Sequence, residues 1–187
     1  MVDMRLAAGD QAGALAAHEE SLTIRRKLAA AEPDDAGWQR SLSVSLDTVG
    51  DMRLAAGDRR GALWAYEESL AIARKLAAAD VGDTARQHDV RVSLIKMADV
   101  WLEMGDQAGA RSTYEESLAI GRKLAAADPG NADWRREFSV GLERVGDVRL
   151  AAGDRPLHSP LTRRASRSGA SSPPPMQAMP AGSPTLR

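Results

Sequence analysis

Apolar residues recur along the chain at spacings of three and four. One run holds Leu42, Leu46, Val49 and Leu54, and the next holds Ala62, Leu63, Tyr66, Leu70, Ala73 and Leu76. Each run is the stripe of an amphipathic helix. Between them stands Ala55-Ala56-Gly57-Asp58, where the glycine can take the left-handed conformation that ends a helix and the aspartate can cap the next. Asp and Gly in "LAAADVGD" and "LAAADPGN", with Pro129 in the second, punctuate longer connections. The pattern predicts helices at about 11–31, 37–56, 58–79, 85–104, 106–127 and 133–152.

The pattern also repeats. "GDMRLAAGD" from Gly50 returns as "ADVWLEMGD" from Ala98 and "GDVRLAAGD" from Gly146, while "EESL" begins at Glu19, Glu67 and Glu115. Both series step by 48 residues. Trp38 and Trp134 stand two steps apart, with Arg86 at the position between them. A pair of helices repeated at a fixed period is an α-solenoid, in which each unit buries its apolar face only against its neighbours. The expected architecture is all-α, a right-handed solenoid of antiparallel helix pairs over 1–154, made of a half unit, two full units and a half unit. Met1-Val2-Asp3 aligns with Val49-Gly50-Asp51, so the chain is expected to start inside a helix. In this reading frame no second helix follows the one ending near Ala152, so the array is expected to be cut at both ends and to belong to a larger protein.

The units resemble tetratricopeptide repeats. The family pattern W-x2-L-G-x2-Y followed by A-x3-F is met by Leu46, Val49, Gly50, Ala62 and Tyr66, and again by Leu94, Met97, Ala98, Trp101, Ala110 and Tyr114. Small residues at Gly50, Ala62, Ala98 and Ala110 let two helices approach, and the tyrosines fill the space beside them. Arg53 and Arg149 depart from the family tyrosine, and the 48-residue period exceeds the usual 34 or so. The departure is similar to long-helix arrays of the kinesin-light-chain kind. The resemblance implies a non-catalytic scaffold that binds a peptide or protein in a concave groove lined by the first helices.

Composition narrows the class. Aromatic residues make up only 4% of the chain, which suits close helix packing better than a β-sandwich. There is no Cys, so disulfides and thiolate metal sites are excluded. No basic flank with an apolar run opens the chain, and nowhere do eighteen apolar residues stand together. A soluble, cytoplasmic protein with no membrane partner is expected.

The net charge of -1 hides an uneven distribution: Arg155 to Arg187 holds five Arg and no acid. The rest, with 20 basic against 26 acidic residues, argues against nucleic acid, whose phosphates require a Lys- and Arg-rich face.

The segment 155–187 is rich in Ser, Pro and Gly and reads as a disordered tail. Its "RRAS" at Arg163 and "PPPM" at Pro173 are short kinase-like and polyproline-like strings. A shifted reading frame accounts for them better. Taking the third base of each codon with the first two of the next lets Ala165 to Ser183 encode S-L-A-I-G-R-K-L-A-A-A-D-A-G-N-A-G-W-Q, a near-copy of "SLAIGRKLAAADPGNADW", which already stands at Ser117. Met has one codon, so the steps after Met176 and Met179 allow no choice, and both yield Ala, the second at the position of Ala132. The tail is therefore expected to be a fourth repeat put out of frame by one base lost near Pro156.

Chemistry-bearing motifs are few. His18 aligns with Tyr66 and Tyr114 and is expected to pack as their substitute, His88 and Asp89 are neighbours that do not face each other, and His158 lies in the tail. HExxH, a phosphate-binding glycine loop and GxSxG are all missing from the sequence. Glu67-Glu68 and Glu115-Glu116 recur in register, as a solvated face does. No enzyme activity, cofactor or metal is expected.

The candidate site is the inner, concave face of the first helices, on residues turned away from the packing stripe: Asp47, Asp51, Asp99, Glu103, Glu143 and Asp147, an acidic ladder, with Lys96 and Arg144 three residues before Asp99 and Asp147. As a binding surface it would select a basic segment; alternatively Lys96 and Arg144 pair with those nearby acids and merely solvate the face. Two further readings compete with a scaffold: a self-assembling module stacking through its terminal helices, and a truncated product with no role of its own.

Overall fold

A computed structural model describes residues 2–153, with side chains from residue 11 onward. The expectations for 155–187, namely the disordered tail, the shifted frame, the two short strings and His158, lie outside the described residues. Six helices follow one another: α1 (Val2–Ala31), α2 (Ala36–Ala55), α3 (Arg59–Ala79), α4 (Thr84–Glu103), α5 (Gln107–Ala127) and α6 (Ala132–Ala151). There is no strand among the described residues.

The helix ends are set by side chains at the period. Asp35 and Asp58 cap α2 and α3, accepting from the amides of Trp38 and Gly61 at 2.9 Å each. Asp83, Asp106 and Asn131 do the same for α4, α5 and α6. At the other ends Gly57, Gly105 and Gly153 have φ of 84°, 82° and 76°, a conformation a Cβ would strain. Gly57 N donates to Leu54 O at 2.9 Å and Asp58 N to Arg53 O at 2.8 Å, the paired bonds of a Schellman ending. Gly105 and Asp106 repeat them on Leu102 and Trp101.

The sequence Ala7-Ala8-Gly9-Asp10 behaves differently. The expected break there does not form, and α1 runs through it without interruption. Glycine permits a left-handed turn but does not force one; continuing the helix costs only about 1 kcal/mol. The turn at Gly57 is held by the packing of α2 on α3, and α1 has no described helix before it to pack against.

Each helix packs chiefly on its neighbours in sequence, from α1 on α2 through α5 on α6. Leu22 and Ala29 of α1 meet Leu42, Leu46 and Val49 of α2; one period on, Leu70, Ala73 and Ala77 of α3 meet Val90 and Leu94 of α4. Gly50 is required by Tyr66, whose ring lies where a Cβ on residue 50 would be. Ala98 and Tyr114 pack together in the next unit.

Lateral contacts join alternate helices. Arg26 of α1 reaches Glu68 of α3, and Arg74 of α3 reaches Glu116 of α5, each at 2.5 Å. On the other side Arg40 of α2 meets Asp89 of α4 at 2.6 Å. Thus α1, α3 and α5 form one layer and α2, α4 and α6 the other, the arrangement of a helical solenoid.

His18 does not pack as expected. It is exposed, whereas Tyr66 and Tyr114 are buried. A residue at this position is covered by the preceding helix of its own pair, as Tyr66 is by α2, and α1 has no such partner among the described residues.

Candidate interaction face on the even-numbered helices

The eight residues singled out in the sequence lie on α2, α4 and α6, and most of their charge is already engaged. Asp51 accepts from Tyr66 Oη at 2.7 Å and from Lys96 Nζ at 2.6 Å. One period later Asp99 accepts from Tyr114 Oη and from Arg144 Nη1. Lys96 and Arg144 therefore reach back to the preceding unit rather than pairing with Asp99 and Asp147 three residues on. Each cation also lies by a tyrosine ring, 5.5 Å from that of Tyr66 and 5.7 Å from that of Tyr114. This tyrosine–aspartate–cation node ties consecutive units together. Burial, then the bond to the adjacent aspartate, raises both phenols, Tyr114 up to about 12, so both stay protonated donors.

Glu103 pairs with Arg59 at 3.0 Å. Asp47 is turned inward, beside a run of buried hydroxyls. Ser43 and Ser69 lie 2.9 Å apart, Ser69 and Ser93 3.3 Å, and Ser93 Oγ points to Asp47 at 3.4 Å. Burial pushes the Asp47 carboxyl up to about 6, against the opposing pull of Ser69 and Lys96. Of the eight, Glu143 and Asp147 alone are exposed acids without a partner among the described residues. The ladder is thus a set of cross-unit ties with free acid at one end.

The sequence reading missed a second column on this face. Val44, Val92 and Val140 stand one period apart, and Val44 and Val140 are exposed. Between α4 and α6 the column opens into a groove of about 340 Å³, lined by His88, Val92, Ile95, Arg136, Val140 and Arg144 among others. Its wall holds Arg91, whose side chain is buried. Arg91 donates to Glu137 Oε2 at 2.5 Å and to Glu137 O at 2.8 Å; burial lowers its pKa, which Glu137 opposes. Gly121 makes room, since a Cβ there would come within 3.1 Å of the Arg91 Nε. His88 lies 5.1 Å from Trp134 between ring centroids, and its Nδ1 is 3.4 Å from Glu137, in ion-pair range but without hydrogen-bond geometry. The signal for the valine column was the 48-residue spacing at a position outside the Leu42, Leu46 and Val49 stripe.

No helix among the described residues is long and apolar enough to cross a membrane. No family model matches the sequence. No curated protein matches it either. Among solved structures the chain is similar to the crystal structure of BtubC (BKLC) from P. vanneervenii, at 15% identity and a TM-score of 0.31, over 91% of this chain and 97% of that one. A likeness of that size carries no argument about function.

Proposed function

We propose that this chain is a non-catalytic protein-interaction scaffold of the long tetratricopeptide-repeat type, and that it holds an extended or helical segment of a partner along the face of α2, α4 and α6. The observation that carries the reading is the column Val44, Val92 and Val140: one apolar position of successive units, exposed at Val44 and Val140 and half-buried at Val92, where it lines the groove between α4 and α6, which solvation alone does not account for. Gly50 under Tyr66, and Ala98 with Tyr114, are the close approaches that the repeat family uses.

The partner preference differs from a purely basic segment. Asp51 and Asp99 spend their charge on Lys96 and Arg144, so the valines supply the contact, and Arg136 of the groove with the exposed Glu143 and Asp147 of the same helix supply both signs. Such borders set orientation and encounter rate more than affinity.

The test is a displayed peptide library selected against the full chain, with the enriched peptides assayed again on two variants. Val92→Glu should lower affinity at least tenfold with an unchanged melting curve, and Glu143→Lys with Asp147→Lys should alter the charge preference. Equal binding by Val92→Glu overturns the reading. Reversing Asp51 and Asp99 is a poorer test, because it also breaks the bonds from Tyr66 and Tyr114.

A further inference from the structure

The two ends of the described array are complementary. By the 48-residue register α6 is the counterpart of α2 and α4, which are covered by α3 and α5. Leu46 and Leu94 are 0% and 1% exposed, but the equivalent Leu142 is 46% exposed. At Gly146, the counterpart of Gly50, nothing lies within 4 Å of an added Cβ. The face that takes a tyrosine-bearing helix elsewhere is open on α6.

At the other end α1 is the counterpart of α3 and α5, and the face those helices turn to their own partner is open. Leu28 is 36% exposed where Leu76 and Leu124 are 8% and 3%. Ala17 and His18 are exposed where Ala65 and Tyr66 are fully buried.

We propose that copies of this chain join head to tail, α6 of one copy taking α1 of the next as its missing partner helix. Laid on the α2–α3 pair, the junction sets His18 over Gly146 with its ring N–H toward Asp147, as Tyr66 lies over Gly50 and donates to Asp51. Ser139 meets Ser21, as Ser43 meets Ser69 at 2.9 Å. The charge pattern agrees independently. The lateral pairs Arg26–Glu68 and Arg74–Glu116 leave a third arginine, Arg122, and a first glutamate, Glu20, without an ion pair inside the described residues; Arg122 only lies 5.9 Å from the Phe138 ring. Across the junction Arg122 of one copy faces Glu20 of the next. The two surfaces differ, so the contact does not close on itself, and assembly continues past two copies.

The measurement is the weight-average mass of the full chain by light scattering, from micromolar to about 1 mM, the range that detects weak contacts. The mass should rise beyond that of a dimer. Gly146→Leu should weaken association at least tenfold while melting no lower than the parent, since an added Cβ meets nothing within 4 Å among the described residues and leucine favours the helix over glycine. Arg122→Glu and Glu20→Arg should each weaken it about threefold, as an exposed ion pair does, and the two together should restore it. Three outcomes overturn the proposal. One is a monomer at every concentration. Another is a ceiling at two copies that Glu20→Arg does not change. The third is association only when the chain is stopped after Gly153, which would assign the cover of α6 to residues 154–187.

Discussion

Leu46, Leu94 and Leu142 occupy the same position in successive helices, yet the first two are sealed and the third stands nearly half in water. Gly50 and Gly146 make the same comparison in miniature: one lies under a tyrosine ring and the other faces open space. Identical periodic signals thus lead to different energetics, because in a solenoid a residue's burial is supplied by the adjacent unit. The middle of the described array holds the sealed core, and its two ends leave apolar positions uncovered.

The largest effect expected is at the sealed positions. Leu46→Ala or Leu94→Ala should cost about 2 to 5 kcal/mol by cavity formation, whereas Leu142→Ala should cost less than about 1 kcal/mol at low concentration. Urea denaturation of the three variants measures this, and equal losses would break the comparison. Gly50→Ala forces the Tyr66 ring aside and should destabilise by about 1 to 3 kcal/mol; Gly146→Ala should stabilise by up to about 1 kcal/mol through helix propensity. Opposite shifts in melting temperature are the expected readout.

The Asp47 carboxyl sharpens the contrast by pH. Its folded pKa, about 6, lies above its ordinary value of 3.8. The unfolded chain therefore binds fewer protons between those values, and stability falls as pH rises through about 6. Asp47→Asn should remove that slope and gain about 1 to 2 kcal/mol at pH 7, after allowance for solvent screening. The counterpart of Asp47 one period on is Ile95, which carries no charge to bury. Urea midpoints of the parent and of Asp47→Asn from about pH 4 to pH 8 read the slope, which levels off above about 6. Smallest is the loss expected for Arg74→Ala, which removes a half-exposed pair with Glu116 and should cost less than about 1 kcal/mol.

Much of this was legible in the residues. Gly57 and Asp58 announced a helix end and the next start, Asp, Gly and Pro129 marked the longer connections, and the described helices α2 to α6 begin and end within one residue of the sequence expectation. Gly9 was misread because a glycine states what the backbone can do, and only a packed neighbour makes it turn. His18 was misread for a related reason: alignment with Tyr66 gives a position on the helix but not the helix that covers it. At the interaction face, sequence proximity suggested that Lys96 and Arg144 pair with Asp99 and Asp147. The long side chains instead span to the preceding unit, where Tyr66 and Tyr114 hold Asp51 and Asp99 in place.

By itself the sequence determined the helices, their period and their pairing into units, because backbone conformation and amphipathic spacing are local properties repeated at every 48th residue. The tertiary structure decided which acids remain free, which valines stay exposed and which helix faces lack a cover. Those depend on what stands opposite each side chain, and in a stacked array that is set by residues one or two helices away.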